Sequence, residues 1–370
     1  MGLKSNHNSG ESRVPVPRQR WRGSVVIVGI WLFVGAIGLD AQTSPPTPAP
    51  PAATGAAQPV QSPGAAPATQ SEGATGMPQA QPNDQPSADD QSGVFVFKKE
   101  VQEVVLHATV VDDQRRLVTN LDRPAFTVFE DGVRQATTSF HRDDVPVAMG
   151  IVIDNSGSMR EKRNKVNEAV LNLIRASNPN DEIFVVNFSQ DSYLDQDFTS
   201  DINLLQQALQ KVSAQGSTAL YDAIIASAVH LKNNPRVERK VLLVITDGRD
   251  NASQETLQEA TRGLQQQNGP TLYAIGLLSD ELQQSGTDAL QSLAASTGGV
   301  AFFPRSLDEV DGITRTVAHD IRSQYTIGYK STNPNPNGGY RRIQVTAQAP
   351  GYRNLTVRTR SGYYPGEPVH

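Results

Sequence analysis

Ile151-Val152-Ile153-Asp154-Asn155-Ser156-Gly157-Ser158-Met159 decides how the rest of this 370-residue chain is read. The apolar run is greasy on both faces, which is how a strand of a buried parallel sheet reads. It breaks abruptly into Asp-x-Ser-x-Ser, so three oxygen-bearing side chains sit on the loop past the strand's C-terminal end. In open α/β sheets that crevice is where ligands bind. Hard oxygen donors there suit a hard divalent cation, most naturally Mg²⁺. Ligand type alone leaves Mn²⁺ and Ca²⁺ open as well.

Outward from this stretch, residues 146–322 alternate strand and helix. Apolar strands are expected at Val147–Ile153, Ile183–Phe188, Val241–Thr246, Leu272–Gly276 and Val300–Phe303. Between them, Val166, Ala169, Val170, Leu173 and Ile174 recur at helical spacing. So do Leu220, Ala223, Ile224 and Leu231, and then Leu307, Val310, Ile313, Val317 and Ile321. Such alternation predicts an α/β fold, a doubly wound and mostly parallel sheet covered on both faces. The aliphatic stripes are core.

Two further loops carry oxygen donors. Gly216-Ser217-Thr218-Ala219 precedes a predicted helix, and Thr246-Asp247-Gly248 follows an apolar strand directly. Loops at the carboxyl ends of adjacent strands converge in a doubly wound sheet. Asp154, Ser156, Ser158, Thr218 and Asp247 are therefore the candidate metal ligands, a low-charge oxygen set. Mg²⁺ usually keeps several waters, so an incomplete protein shell is expected. Taken alone, Asp-x-Ser-x-Ser has a plainer reading as the N-cap of a helix beginning near Arg160. Asn155 reads as a turn residue, and Asp222 and Asp250, near the site, as structural or as supporting the ligands from behind. Arg249 either tunes the charge of the rim or is simply solvated.

Asp154-x-Ser156-x-Ser158, then Thr218, then Asp247-Gly248, resembles the von Willebrand factor type A domain and its metal-ion-dependent adhesion site. The resemblance covers about 146–322. It implies a sheet of order 3-2-1-4-5-6. It also implies direct metal contact through Ser156, Ser158 and Thr218, with Asp154 and Asp247 reaching the metal mostly through water. The remaining metal position would take a carboxylate from a partner protein. An under-neutralised dication in a crevice does attract an acidic side chain. More widely, Phe126-Thr-Val-Phe-Glu-Asp-Gly132 before the domain and Tyr325-Thr-Ile-Gly-Tyr329 after it are similar to a group of bacterial extracytoplasmic proteins with a related domain.

The flanks read as β-structure. Residues 94–145 contain the β-branched run Val104–Val111, the alternating Phe126–Glu130, an Asp131-Gly132 turn and a return strand from Val133 to Phe140. Residues 323–365 contain three alternating runs, Gln324–Tyr329, Arg342–Ala347 and Asn354–Thr359, with the turn-rich Asn333–Gly339 after the first. Two or three strands alone are marginal. One β-sandwich split in sequence, with the middle inserted into it, is expected; two independent β modules are the alternative. Residues 366–370 are a tail.

Residues 1–42 hold a basic flank and then Ser24–Leu39, a run without charge. That is the pattern of an export signal, or of an uncleaved anchor on the short side for a spanning helix. Either way the rest of the chain is expected outside the cytoplasm, with contact to membrane only through this segment if it is retained. Residues 43–93, rich in Pro, Ala and Gln and without Lys, Arg or Tyr, cannot bury enough apolar area to order themselves. They read as a spacer reaching roughly 40 Å as a coil and up to roughly 150 Å if polyproline-like.

Composition narrows the function. Net charge is −5, which argues against a nucleic-acid footprint. With no cysteine, disulfides and thiolate chemistry are excluded, and the six histidines lack zinc spacing. The chain has no Gly-x-Ser-x-Gly elbow, no His-Glu-x-x-His and no phosphate loop. A nucleophile, a general base and a charge clamp are all missing from the motifs, so the expectation is a binding protein and not an enzyme. Two roles compete: metal-dependent recognition of an acidic partner protein, and a metal-insensitive scaffold in an envelope complex. Oligomeric state is not legible.

Overall fold

The structure, a computed structural model, describes residues 20–21 and 103–366, apart from 212–213, 235, 278–282, 334 and 336–338. The expected signal or anchor at 24–39 and the spacer at 43–93 lie outside the described residues. Strand β1 (Arg20–Trp21) pairs antiparallel with Ser192–Tyr193. Among the described residues no helix is long and apolar enough to cross a membrane.

The first β segment supplies β2 (Glu103–Val111), β3 (Phe126–Glu130), β4 (Val133–Gln135) and β5 (Thr137–His141). Asp131 (φ 48°) and Gly132 (φ 81°) make the β3–β4 turn, the left-handed pair that a tight hairpin of primed type requires. The single return strand expected from Val133 to Phe140 is in fact two. β4 pairs with β3, and the chain then changes sheets at Ala136, so that β5 pairs with the strand at 325–330. Side-chain alternation continues across such a corner, so the pattern does not reveal it.

The middle of the chain supplies β6 (Val147–Asp154), α1 (Arg163–Ala176), β7 (Glu182–Phe188), β8 (Ser192–Thr199) and α2 (Ile202–Gln210). It continues with α3 (Leu220–Lys232), β9 (Arg239–Thr246), α4 (Leu257–Leu264), β10 (Thr271–Gly276), α5 (Gln283–Thr297), β11 (Ala301–Phe302) and α6 (Val310–Arg322). The sheet runs β1-β8-β7-β6-β9-β10-β11. Counted from β6, this is the order 3-2-1-4-5-6, parallel except for β8, with β1 added at the edge. All of β6 is buried. Its odd positions Val147, Met149, Ile151 and Ile153 face α1, α2 and α6, while Ala148 and Val152 face α3, α4 and α5. Each fully buried Val or Ile there contributes roughly 1.5–3 kcal/mol.

Strand β8 was not expected from the sequence. Ser-Tyr-Leu-Asp-Gln-Asp-Phe-Thr is half-buried near the sheet edge, so one face tolerates polar residues and the apolar run that marks the inner strands is lost.

Four strands follow: β12 (Tyr325–Lys330), β13 (Arg341–Ala347), β14 (Thr356–Arg358) and β15 (Gly362–Tyr363). They interleave with the first segment in two antiparallel sheets, β14-β2-β12-β5 and β15-β13-β3-β4. Between them lies one core including Leu106, Val110, Val128, Tyr325, Ile327 and Val345. Glu130 is buried in it, accepting from Tyr329 Oη (2.6 Å), Tyr363 Oη (3.0 Å) and Arg341 Nη1 (3.1 Å).

The sandwich joins the α/β unit at the N-terminal ends of the parallel strands. Arg239, first residue of β9, donates to Thr326 Oγ1 (3.0 Å) and to the Ile321 carbonyl (3.2 Å). Arg358 pairs with Asp320 at 2.8 Å, and Tyr273 Oη donates to the same carboxyl. Gly298 (φ 86°) lets the Thr359–Arg360 backbone pass; a Cβ there would lie 2.6 Å from the Thr359 carbonyl carbon. The candidate ligands lie at the opposite ends of the strands. β9 alone spans the distance, roughly 25 Å for its eight residues.

Candidate metal centre

Strand β6 ends on Asp154, whose carboxylate is wholly buried. Its Oδ1 accepts from the Ser156 amide (2.7 Å) and its Oδ2 from Thr246 Oγ1 (2.5 Å). Thr246 is the last residue of β9, so this bond ties the adjacent strand ends together. Burial pushes the Asp154 carboxyl above its ordinary range, opposed by hydrogen bonds from Thr246 and Ser156; the neighbouring Asp247 pushes the same way as burial.

Past Asp154 the chain makes a short 3-10 turn over Gly157–Met159, and α1 starts only at Arg163. Ser156 flanks that turn without making a side-chain capping bond, and the residue capping α1 is Lys162. The plainer reading of Asp-x-Ser-x-Ser as a helix cap is therefore not what the loop does. Its hydroxyls face each other instead: Ser156 Oγ and Ser158 Oγ are 3.2 Å apart, and Ser158 Oγ donates to Asp247 Oδ1 at 2.8 Å. Asp247 is also wholly buried.

Thr218 enters from the loop before α3 and is buried. Asn251 clamps its backbone, accepting from the Thr218 amide through Oδ1 (2.8 Å) and donating its own amide to the Thr218 carbonyl (3.0 Å). Asp250 caps the same helix start by accepting from the Leu220 amide (2.8 Å). Thr218 Oγ1 lies 3.4 Å from where a Cβ on Gly248 would stand, beside the Asp247 loop. The loops also interlock through backbone: Gln215 donates to the Asn155 carbonyl (3.0 Å) and Gly157 to that of Gly216 (3.4 Å). A Cβ at Gly157 would meet nothing within 4 Å, so the turn between the two serines is open on that side.

Asp154, Ser156, Ser158 and Asp247 are thus brought into one hydrogen-bonded cluster, with Thr218 against its Gly248 side. Among the described residues no group of three or more His, Cys, Asp or Glu could cage a metal. The donor set fits a hard cation that keeps part of its water shell: hydroxyls not spent on capping, and two carboxylates already hydrogen-bonded. Asp222 accepts from the Gln254 and Glu255 amides, a structural role like that of Asp250.

Three functional neighbours escaped sequence reading. Thr246 stands in the Thr246-Asp247-Gly248 stretch but is not among the five candidate ligands, and its hydroxyl holds Asp154. Arg163 is buried beneath the loop and donates to the Asp154 carbonyl (3.3 Å), Asn187 Oδ1 (2.7 Å) and the Leu209 carbonyl (3.4 Å). Desolvation lowers its guanidinium to about 10, with Asp154 and Asp195 opposing. Lys162 makes an ion pair with Asp247 Oδ2. Nothing in Met-Arg-Glu-Lys-Arg distinguishes these two cations from solvated ones.

Residues 149–249 match the family model of the von Willebrand factor type A domain. The central domain is a von Willebrand factor type A domain. Solved structures similar to the chain include a von Willebrand factor type A protein from Catenulispora acidiphila, at 16% identity over 72% of this chain and 75% of that one, TM-score 0.42. The PilB minor pilin from Streptococcus sanguinis is 13% identical over 50% of this chain, TM-score 0.41; the match spans 63% of the pilin. The same domain of the type V pili tip protein from Porphyromonas gingivalis is 14% identical over 48% of this chain and 97% of that one, TM-score 0.38. No curated protein sequence matches the chain.

Proposed function

We propose that this chain is an exported binding protein that recognises an acidic side chain of a partner protein through a divalent cation held by its type A domain. The observation that carries the reading is the Ser156–Ser158–Asp247 cluster at the strand ends, built from hydroxyls that helix capping leaves available. Ser156, Ser158 and Thr218 would hold the cation directly, and Asp154 and Asp247 through water. When bound, the cation supplies a coordination position that a carboxylate can fill. Arg160, exposed and bonded to the Ala214 carbonyl, and the exposed Arg249, next after Gly248 in the chain, would favour an acidic ligand. Mg²⁺ is the first choice for this donor set. Export is read from the 24–39 segment, whether cleaved or kept as an anchor; in either case Arg20–Trp21, on the other side of that segment, would be parted from β8. Catalysis is not part of the reading: the sequence carries no hydrolase elbow, metalloprotease or phosphate-loop motif.

A second reading has an observation of its own. Lys162 pairs with the Asp247 carboxylate, and the Asp154 carboxylate is held by Ser156 and Thr246, all from within the fold, as a metal-insensitive scaffold in an envelope complex would have it. Two measurements separate the readings. Thermal melts of the full chain in Mg²⁺ and in EDTA should differ for wild type and coincide for Ser156→Ala. Capture of a partner from envelope extract should need Mg²⁺ and be lost in Thr218→Ala. Identical wild-type melts together with chelator-resistant capture would establish the scaffold.

A further inference from the structure

We propose that Lys162 is the resident counter-ion of this site, the group a divalent cation displaces on entry, so that cation and acidic ligand load as a pair. The inference rests on the metal-dependent reading above and concerns how this chain's own charges control it.

Four charged side chains meet around the cluster. Asp154 and Asp247 are wholly buried, and Arg163 is 2% exposed. Only the Lys162 side chain, at 23%, reaches solvent. Arg163 is bound to β6, β7 and the end of α2 through three hydrogen bonds and has nowhere to go. Lys162 hangs on a flexible four-carbon stem, and the pairing the structure gives its ammonium is with Asp247 Oδ2.

The position is otherwise a poor one for a lysine. Lys162 is the N-cap of α1, with no acidic residue in the first turn. The positive end of the helix dipole disfavours a cation there. Arg160 and Arg163 add like charge nearby, with Glu161 opposing and Lys165 paired to Asp308. Asp247 is what offsets this, in a partly desolvated setting where charge–charge terms are several times stronger than in water.

With Lys162 in place Asp247 already has its counter-charge, and the Arg163 guanidinium lies beneath Asp154, bonded to its carbonyl oxygen. A dication entering beside a fixed ammonium would leave the crevice strongly positive. If Lys162 swings to the rim, Asp247 is released to the incoming cation. The ammonium then stands at a rim that already carries Arg160, whose guanidinium donates to the Ala214 carbonyl (3.1 Å). A carboxylate arriving at the cation also meets this rim and restores neutrality. Cation affinity in the absence of acid is therefore held low, and acid and cation raise each other's affinity by the same factor.

The test is Mn²⁺ binding to the full chain, read by electron paramagnetic resonance of free Mn²⁺, with and without acetate as a carboxylate probe. K162M keeps the length and removes the charge. It should bind Mn²⁺ on the order of tenfold tighter or more than wild type. It should also melt lower in EDTA and gain less from acetate. K162R, which keeps the charge, should resemble wild type. If K162M does not fold, K162Q takes its place. Wild-type binding that K162M leaves unchanged or weakens overturns the role of Lys162 and leaves the metal reading standing. Failure of Mn²⁺ to bind either wild type or K162M sinks both.

Discussion

Ser158 Oγ donates a 2.8 Å hydrogen bond to Asp247 Oδ1 across 89 positions of sequence. This bond joins the loop after β6 to the loop after β9, and it exists because the two strands are parallel neighbours in the sheet. Strand adjacency puts both loops at one edge, and the hydroxyl and carboxylate then find each other. Replacing Ser158 by Ala should cost about 1 kcal/mol of stability. It should also abolish the difference between melts in Mg²⁺ and in EDTA. A variant that keeps that difference would remove Ser158 from the ligand set.

Arg163 supports the same loop from below. Arg163→Met keeps much of the volume but deletes three hydrogen bonds from a buried charged donor. A loss of about 2–4 kcal/mol is expected, read as a lower midpoint in urea with unchanged slope. A loss within experimental error would mean that the guanidinium is a passenger.

His107 predicts an acid limb in stability. Desolvation first, then the charges of Arg239 and Arg360, lowers its imidazole from 6.5 to about 3. Between those values the unfolded chain binds a proton that the folded chain refuses. The contribution is therefore complete above pH 6.5 and drains away as pH falls toward 3, at no more than about 1.4 kcal/mol per pH unit. His107→Gln should flatten this limb. Urea melts of both proteins at pH 4.5 and 7.5 decide it, and equal pH dependence would refute the assignment.

Gly298 sits where the α/β unit and the sandwich touch. Gly298→Ala adds a Cβ at positive φ, against the Thr359 backbone. It should destabilise by about 2–3 kcal/mol and speed proteolysis in the segment around Thr359. A near-neutral variant would show that this junction gives way easily.

Much of the α/β unit is legible in the chain. The inner strands β6, β7, β9 and β10 are apolar on both faces because helices cover both faces, and that burden is written in consecutive residues. The ligand candidates are legible for a related reason. A strand that stops at Asp-x-Ser-x-Ser, and another that stops at Thr-Asp-Gly, mark two loops at the same end of the sheet. The edge strand β8 was missed, since half-burial relaxes its pattern. So was the passage of the chain between sheets at Ala136.

What the chain determines alone is set by local burial and turn chemistry: the β6 core, the Asp131-Gly132 turn, the helical stripes. What only the tertiary structure decided concerns partners distant in sequence. Val104–Val111 and Tyr325–Lys330 lie on either side of the α/β unit in sequence, yet all of β12 pairs with Glu103–Ala108 of β2. Lys162 and Arg163 look alike on paper, but one reaches solvent and holds Asp247 while the other is buried under Asp154. Periodicity reports which face of a residue meets apolar atoms. It carries no record of which charge will stand opposite, because that is fixed only when separate strand ends are brought side by side.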